Sequence, residues 1–257
     1  MNLRRRLALA YYRISGGFPA HLDGKRYRLV PEDRKFWRKV ARNEWERATF
    51  TFLERCLSVD SVCLDIGAWI GPTALFAAQR CRTVYCIEPD PVAYERLLAN
   101  IRINHVGNVL PFHGALCGHN ARVQIANERG FGNSMTRVRA APAGGTAVLG
   151  VGLSSFIDWW GIDRIDLLKI DIEGAEFDLV PSIIDLLPRF KPAIHLSLHA
   201  PLLPPDQRHD KLATVTDLAG RYAFCYDKHL KPVEPQEIPG ERFADRFNTV
   251  AMTDRAL

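Results

Sequence analysis

An apolar run that ends on an acid and two glycines constrains this chain more than any other stretch. Cys63-Leu64-Asp65-Ile66-Gly67-Ala68-Trp69-Ile70-Gly71 reads as a strand turning sharply into a helix. The glycines permit a tight turn and close packing of helix on strand. Pro72 follows where a first helical turn tolerates proline. Twenty-three residues beyond Asp65, the run Thr83-Val84-Tyr85-Cys86-Ile87 stops on a second acid, Glu88, followed by Pro89-Asp90-Pro91. Two successive strands that each end in an acid and feed a helix imply a parallel sheet with crossover helices.

The loop differs from the dinucleotide fingerprint G-x-G-x-x-G, in which a helix N-terminus faces a pyrophosphate. Asp65 stands where that fingerprint has its first glycine, and the spacing from Gly67 to Gly71 is one residue longer. A carboxylate there repels a pyrophosphate and suits an ammonium group. S-adenosylmethionine fits, because it carries an ammonium and a sulfonium, no phosphate, and a ribose diol for Glu88 to accept from. The plainer alternative is that Gly67 and Gly71 serve only the turn and the packing.

With 257 residues the chain suits one sizeable α/β domain with additions. An apolar fraction of 47% and a charged fraction of 25% are those of an ordinary globular protein, and no apolar run approaches the roughly 20 residues of a spanning helix. The net charge of +5 is too small to argue for nucleic acid as a partner. Arg4, Arg5 and Arg6 precede a short apolar stretch that Arg13 interrupts, which reads as a basic amphipathic helix, packed on its own domain or touching an anionic membrane surface, rather than as a signal peptide. The six cysteines form no C-x-x-C pair, and Cys63, Cys86 and Cys225 fall in expected buried strands. This favours a reducing cytoplasm over disulfides or zinc. Nothing indicates an oligomeric state.

Residues 1–60 read as a cap, with a hairpin turn at Asp23-Gly24 and helical composition from Glu32 to Leu57. The domain proper is expected over 61–257, with strands at 61–66, 83–88, 109–113, 165–171, 193–199, 222–227 and 247–252. Helices are expected near 72–81, 91–104, 175–187 and 206–220. The segment 118–152 breaks the alternation and is read as an insertion forming a flap on the substrate side, with short strands over Arg122 to Ala126 and Thr146 to Val151.

A second constellation lies in Asp166-Leu167-Leu168-Lys169-Ile170-Asp171-Ile172-Glu173-Gly174-Ala175-Glu176. Alternation along a strand points Lys169 and Asp171 to one face and Leu168, Ile170 and Ile172 to the other. The carboxyl end of such a strand is where open α/β sheets bind ligands, which makes Asp171 a candidate. Lys169 needs a buried partner, and Asp171 is the nearest carboxylate on its face. Glu173 and Glu176 also suit a helix N-terminus without any further role. The strand Ala193 to His199 places His195, Ser197 and His199 in a polar column beside Lys169 and Asp171. His199, at the carboxyl end, is a candidate general base, since an unperturbed histidine titrates near 6.5. His195, deeper in the strand, reads as structural.

Taken together, Asp65-x-Gly67-Ala68-x-x-Gly71, Ile87-Glu88-Pro89-Asp90-Pro91, Leu98-Ala99-Asn100 and Leu168 to Glu176 resemble the FkbM family of S-adenosylmethionine-dependent methyltransferases, over about Glu44 to His199. The resemblance implies a class I methyltransferase-like, doubly wound, mostly parallel seven-stranded sheet. Strand 222–227, beside an antiparallel 247–252, would complete its edge. It also implies O-methylation of a hydroxyl on a sugar, polyketide or similar metabolite. Asp65, Gly67, Ala68 and Gly71 would line the methionine part of the cofactor, Glu88 with Asp90 the ribose, and His113, Gly114 and Ala115 the adenine. Trp69 departs from the Asn often found in this loop. The acceptor is not named by the likeness.

In this reading His199 removes the hydroxyl proton and Asp171 orients it. A second version has a divalent cation held by Asp171, Glu173 and His199, since hard oxygen ligands suit Mg²⁺. A nicotinamide oxidoreductase, or a non-catalytic binding protein, would share the fold.

Overall fold

Seven of the expected strands pair into one sheet in the computed structural model, which describes residues 3–127, 130–139 and 146–257. The side chains of Arg4 and Arg5, and the stretch 140–145 of the expected flap, lie outside the described residues. The chain begins with α1 (Leu3–Ile14), the hairpin β1 (Phe18–Leu22) and β2 (Lys25–Leu29), then α2 (Arg34–Ala41) and α3 (Arg47–Cys56). There follow β3 (Val62–Ile66), α4 (Pro72–Ala77), β4 (Thr83–Glu88), α5 (Pro91–Ile103) and β5 (Val109–His113). Next comes β6 (Ala115–Cys117), and the insertion contributes β7 (Ala121–Ala126), β8 (Arg137–Arg139) and β9 (Thr146–Gly152). After it come α6 (Leu153–Trp159), β10 (Leu167–Ile170), α7 (Glu176–Leu186), β11 (Ala193–Leu198), α8 (Pro205–Ala219), β12 (Phe224–Tyr226), α9 (Glu241–Ala244) and β13 (Asn248–Thr253).

The strand order is β12-β13-β11-β10-β3-β4-β5. β10, β3, β4 and β5 pair in parallel with their neighbours, as does β11 with β10, while β13 runs antiparallel between β11 and β12. The three strands of the insertion join β6, just before it, in a separate four-stranded sheet, β6-β9-β7-β8.

Strand alternation divides the core between the two faces of the large sheet. Leu64, Ile66, Leu168, Ile170 and Leu196 pack with Phe156, Phe177 and Leu212 from α6, α7 and α8. Cys63, Val84, Cys86 and Leu167 pack on the opposite face with Leu75 and Leu97 and with Tyr27, Trp37 and Phe52 of the N-terminal segment. Each such fully buried side chain stabilises by about 1.5–3 kcal/mol, so the N-terminal segment is held by its own core residues. Hydrogen bonds fix its position: Tyr27 donates to the Leu75 carbonyl at 3.1 Å, and buried Asn100 accepts from Val30 N–H at 2.8 Å while donating to the Ile70 carbonyl at 2.9 Å.

Two expectations change. The helical stretch from Glu32 to Leu57 divides into α2 and α3, because Asn43 and Glu46 turn through left-handed backbone at φ 56° and 41°. The segment before β10 holds an additional helix, α6, whose Phe156 and Ile157 are buried; its short length leaves little periodicity to read.

Candidate active site

The glycine loop is shaped by contacts that only glycine permits. Gly67 has φ 81°, and a Cβ there would stand 1.9 Å from the Asp171 carbonyl oxygen; at Gly71, with φ 94°, it would meet Leu97 at 2.7 Å. Gly67 and Ala68 N–H both donate to the Ile87 carbonyl. The loop is therefore clasped between the ends of β10 and β4. Trp69 adopts φ 49°, a conformation that Asn or Gly takes more easily. Its backbone N–H donates to Glu88 Oε2 at 2.7 Å, its indole donates to the Gly132 carbonyl at 3.2 Å, and its ring meets Phe36 edge-on.

Beneath the loop lies a buried row set by strand register, in which Asp65, Lys169 and His195 stand side by side across β3, β10 and β11. Lys169 Nζ is 3.0 Å from Asp65 Oδ1 and donates to the Gly67 carbonyl at 2.7 Å, with Asp171 farther off at 4.0 Å. The principal partner of Lys169 is thus Asp65 rather than Asp171, because the facing strand brings that carboxylate closer than the next residue on its own strand. Burial opposes the charge on the ammonium; Asp65 and Asp171 outweigh it and raise its pKa. Asp65 also accepts from Thr73 Oγ1 and is 1% exposed, so it sits beneath the loop. His195 is held neutral, its pKa lowered to about 4 by burial and by the neighbouring Lys169.

The carboxyl ends of β10 and β11 bring Asp171, Glu173, Glu176 and His199 together. His199 Nε2 is 3.5 Å from Asp171 Oδ1 and 3.9 Å from Glu173 Oε1, while Nδ1 is 3.2 Å from Glu176 Oε1. Glu176 is fully buried and accepts from His199 N–H and Gly174 N–H, so it fixes the histidine and the turn into α7 at once. Burial opposes a charge on His199, but Glu176, Asp171 and Glu173 prevail and raise its pKa to about 9. An ordinary value near 6.5 therefore does not hold for this ring.

Asp171, Glu173 and His199 face a cavity of about 1160 Å³. Gly67, Ala68, Glu88, Ala115, Lys169, Asp171, Glu173 and His199 line it. Glu88 accepts from Asp90 N–H at 2.8 Å as well as from Trp69, and burial raises its pKa to about 7. Asp90, Gly71, His113 and Gly114 are positioned outside the lining. Asp90 caps α5 by accepting from Val92 and Ala93 N–H, and its other oxygen accepts from Gly132 N–H and Thr136 Oγ1, each at 2.7 Å. His113 stacks on Tyr94 and bonds the Pro89 carbonyl, and Gly114 N–H donates to the Glu88 carbonyl. Among the described residues, no group of three His, Cys, Asp or Glu side chains is arranged to hold a metal ion.

Several lining residues come from segments that carry no motif. Phe36, Trp45, Glu46 and Arg47 belong to the N-terminal segment, Asn133 and Thr136 to the insertion, and Leu230 and Phe247 to the last part of the chain. Glu46 lines the cavity, and burial, followed by the charge of Asp171, raises its carboxyl to about 7. Phe247 covers His199 at 5.5 Å between ring centres. Glu46, Trp69, Glu173 and Leu230 all have left-handed backbone, with φ between 41° and 56°. Non-glycine residues so placed gather at functional sites, and four of them ring one cavity.

The strand order and the loops at the carboxyl ends of β3, β4 and β10 define a class I S-adenosylmethionine-dependent methyltransferase fold. Residues 65–215 match the methyltransferase FkbM domain, and the chain belongs to that family. An FkbM methyltransferase from Methylobacillus flagellatus KT superposes with a TM-score of 0.51 at 17% identity, over 76% of this chain and 44% of that one. An rRNA methylase from Streptococcus thermophilus has a TM-score of 0.47 at 14% identity, over 81% of this chain and 95% of its own. An uncharacterized protein of Methanocaldococcus jannaschii is 30% identical over 86 residues, 33% of each chain. The chain thus spans less than half the length of the M. flagellatus and M. jannaschii proteins it matches.

Proposed function

We propose that this chain transfers a methyl group from S-adenosylmethionine to a hydroxyl of a sugar, glycan, polyketide or similar metabolite, rather than to a nucleic acid. The observation that carries this reading is a single cavity with Glu88 on one wall and the Asp171–His199 pair on another. The donor set fits the cofactor. Each Glu88 oxygen accepts one backbone N–H and keeps a lone pair for a ribose hydroxyl. Glu46, Asp171 and Glu173 offer negative charge to an ammonium and a sulfonium, whereas the same acids oppose a pyrophosphate. When bound, S-adenosylmethionine supplies an electrophilic methyl carbon.

The chain's own residues supply orientation and a place for the proton. Gly67 and Ala68 present backbone at the methionine end, and Ala115 offers a small wall for the adenine. Asp65 is a positioning residue, holding Lys169 and through it the Gly67 carbonyl. His199 takes the hydroxyl proton at Nε2, with Asp171 orienting ring and acceptor and Glu176 fixing Nδ1. Methyl transfer is an in-line displacement, so alignment contributes much of the rate. In the metal-assisted version, Asp171, Glu173 and His199 would close on a divalent cation, and activity would vanish on chelation and return on adding Mg²⁺. Six unpaired cysteines suit work in a reducing cytoplasm.

Calorimetry with S-adenosylhomocysteine and with NAD is the first test: the former binds and the latter does not. Incubation with S-adenosylmethionine and a panel of hydroxylated acceptors then yields one added methyl on oxygen, located by NMR. Preferential binding of NAD would sink the cofactor assignment, and a methyl found on nitrogen or carbon would sink the hydroxyl assignment.

A further inference from the structure

The outward face of α1 is apolar where a surface helix ordinarily turns polar side chains to water. Leu9 and Tyr12 face the body of the protein, Tyr12 packing edge-on against Phe18. Leu7, Tyr11 and Ile14 are spaced four and three residues apart, which puts them on one stripe, and they are 63%, 66% and 88% exposed. The stripe is therefore not the face that holds the helix to its domain.

The charge around it is lopsided. Residues 1–42 hold twelve Lys and Arg against three Asp and Glu, a formal +9, whereas the remainder of the chain holds 22 against 26, a formal −4. Arg6 and Arg13 lie on α1 itself, to one side of the apolar stripe, and Arg13 pairs with Glu32 in the turn leading to α2. That pair fixes the helix against the basic α2, where Arg38 and Lys39 are exposed.

We propose that α1 docks this protein on an anionic lipid surface, with Leu7, Tyr11 and Ile14 entering the headgroup region and the neighbouring cations, Arg6 and Arg13, meeting lipid phosphates. An exposed apolar stripe edged by arginines is the pattern of a helix that lies in the membrane interface. Basic residues close to an anionic leaflet add attraction that falls with ionic strength. A basic segment alone would serve RNA equally well, but RNA offers no apolar layer for Leu7 and Ile14. Because α1 is tied to the turn before α2, and Phe36 of α2 lines the cavity, docking brings the cavity mouth near the bilayer.

Co-sedimentation of the full chain with vesicles tests this. Vesicles of phosphatidylcholine with about 30 mol% phosphatidylglycerol are expected to pellet the protein at low salt, and neutral phosphatidylcholine vesicles at least about tenfold less of it. The triple variant Leu7→Ser, Tyr11→Ser, Ile14→Ser is expected to lose at least about tenfold of that binding with an unchanged unfolding midpoint, and Arg6→Glu to weaken it further at low salt than at high salt. The proposal is overturned if neither vesicle pellets the protein, or if the triple variant binds as the parent does. It is also overturned if the chain dimerises through the stripe, or if it binds RNA and not vesicles. Neither readout depends on methyl transfer, so failure here leaves the proposed function standing.

Discussion

His199 shows how neighbours redefine a side chain that the sequence presents as an ordinary base. Three carboxylates raise its pKa to about 9, so at neutral pH the unliganded ring carries a proton and must lose it to act. The expected kcat/KM therefore rises with pH until about 9 and then levels, since this parameter reports the free enzyme. In the complex, the positive charge of the cofactor opposes the imidazolium, and the limb in kcat falls to lower pH. His199→Ala should lower turnover by about a hundredfold or more and leave S-adenosylhomocysteine affinity nearly intact. A pH profile whose limb survives His199→Gln would assign the base elsewhere.

At the level of elements, Asp90 ties the turn between β4 and α5 to the insertion, whose Gly132 lies 42 residues on. One oxygen caps α5 and the other holds the insertion at Gly132 and Thr136, while its own N–H steadies Glu88. Asp90→Ala should cost about 1–2 kcal/mol from the cap alone, and amide exchange should quicken over 130–136 as well as in the first turn of α5. Exchange confined to α5 would show that the insertion is held by other contacts. Asp90 also shows what could be read beforehand: an acid after the second strand was plain, but whether its oxygens face a ligand or a backbone depends on where the insertion folds. The strands and the glycine loop were legible for the opposite reason, since apolar runs bounded by glycine, proline and acid carry their own local instructions. The division into α2 and α3 was hidden because Asn43 and Glu46 look like ordinary helix-compatible residues. Phe36, Glu46, Leu230 and Phe247 reach the cavity only through tertiary packing, which no local pattern encodes.

For the whole molecule, two histidines of one neighbourhood act on stability in opposite directions. His195 has its folded-state pKa lowered to about 4, so between about 4 and 6.5 the unfolded chain binds a proton that the folded chain refuses, and stability falls as pH falls. His199, raised to about 9, contributes stability that is fully present below about 6.5 and is lost as pH rises through 9. Glu88, raised to about 7, also disfavours the fold as pH rises from about 4.5. Comparing wild type with His195→Gln isolates the first effect: from pH 7 to pH 5, wild type should lose about 2 kcal/mol more than the variant in denaturant unfolding. Parallel losses would place the acid sensitivity in another group. The left-handed backbone at Glu46, Trp69, Glu173 and Leu230 has a consequence for anyone evolving this protein. Asn or Gly at those positions relaxes the chain, so selection for heat tolerance alone would collect such replacements first. The rim would soften with each one, and the sturdiest descendants would be the poorest at holding whatever enters.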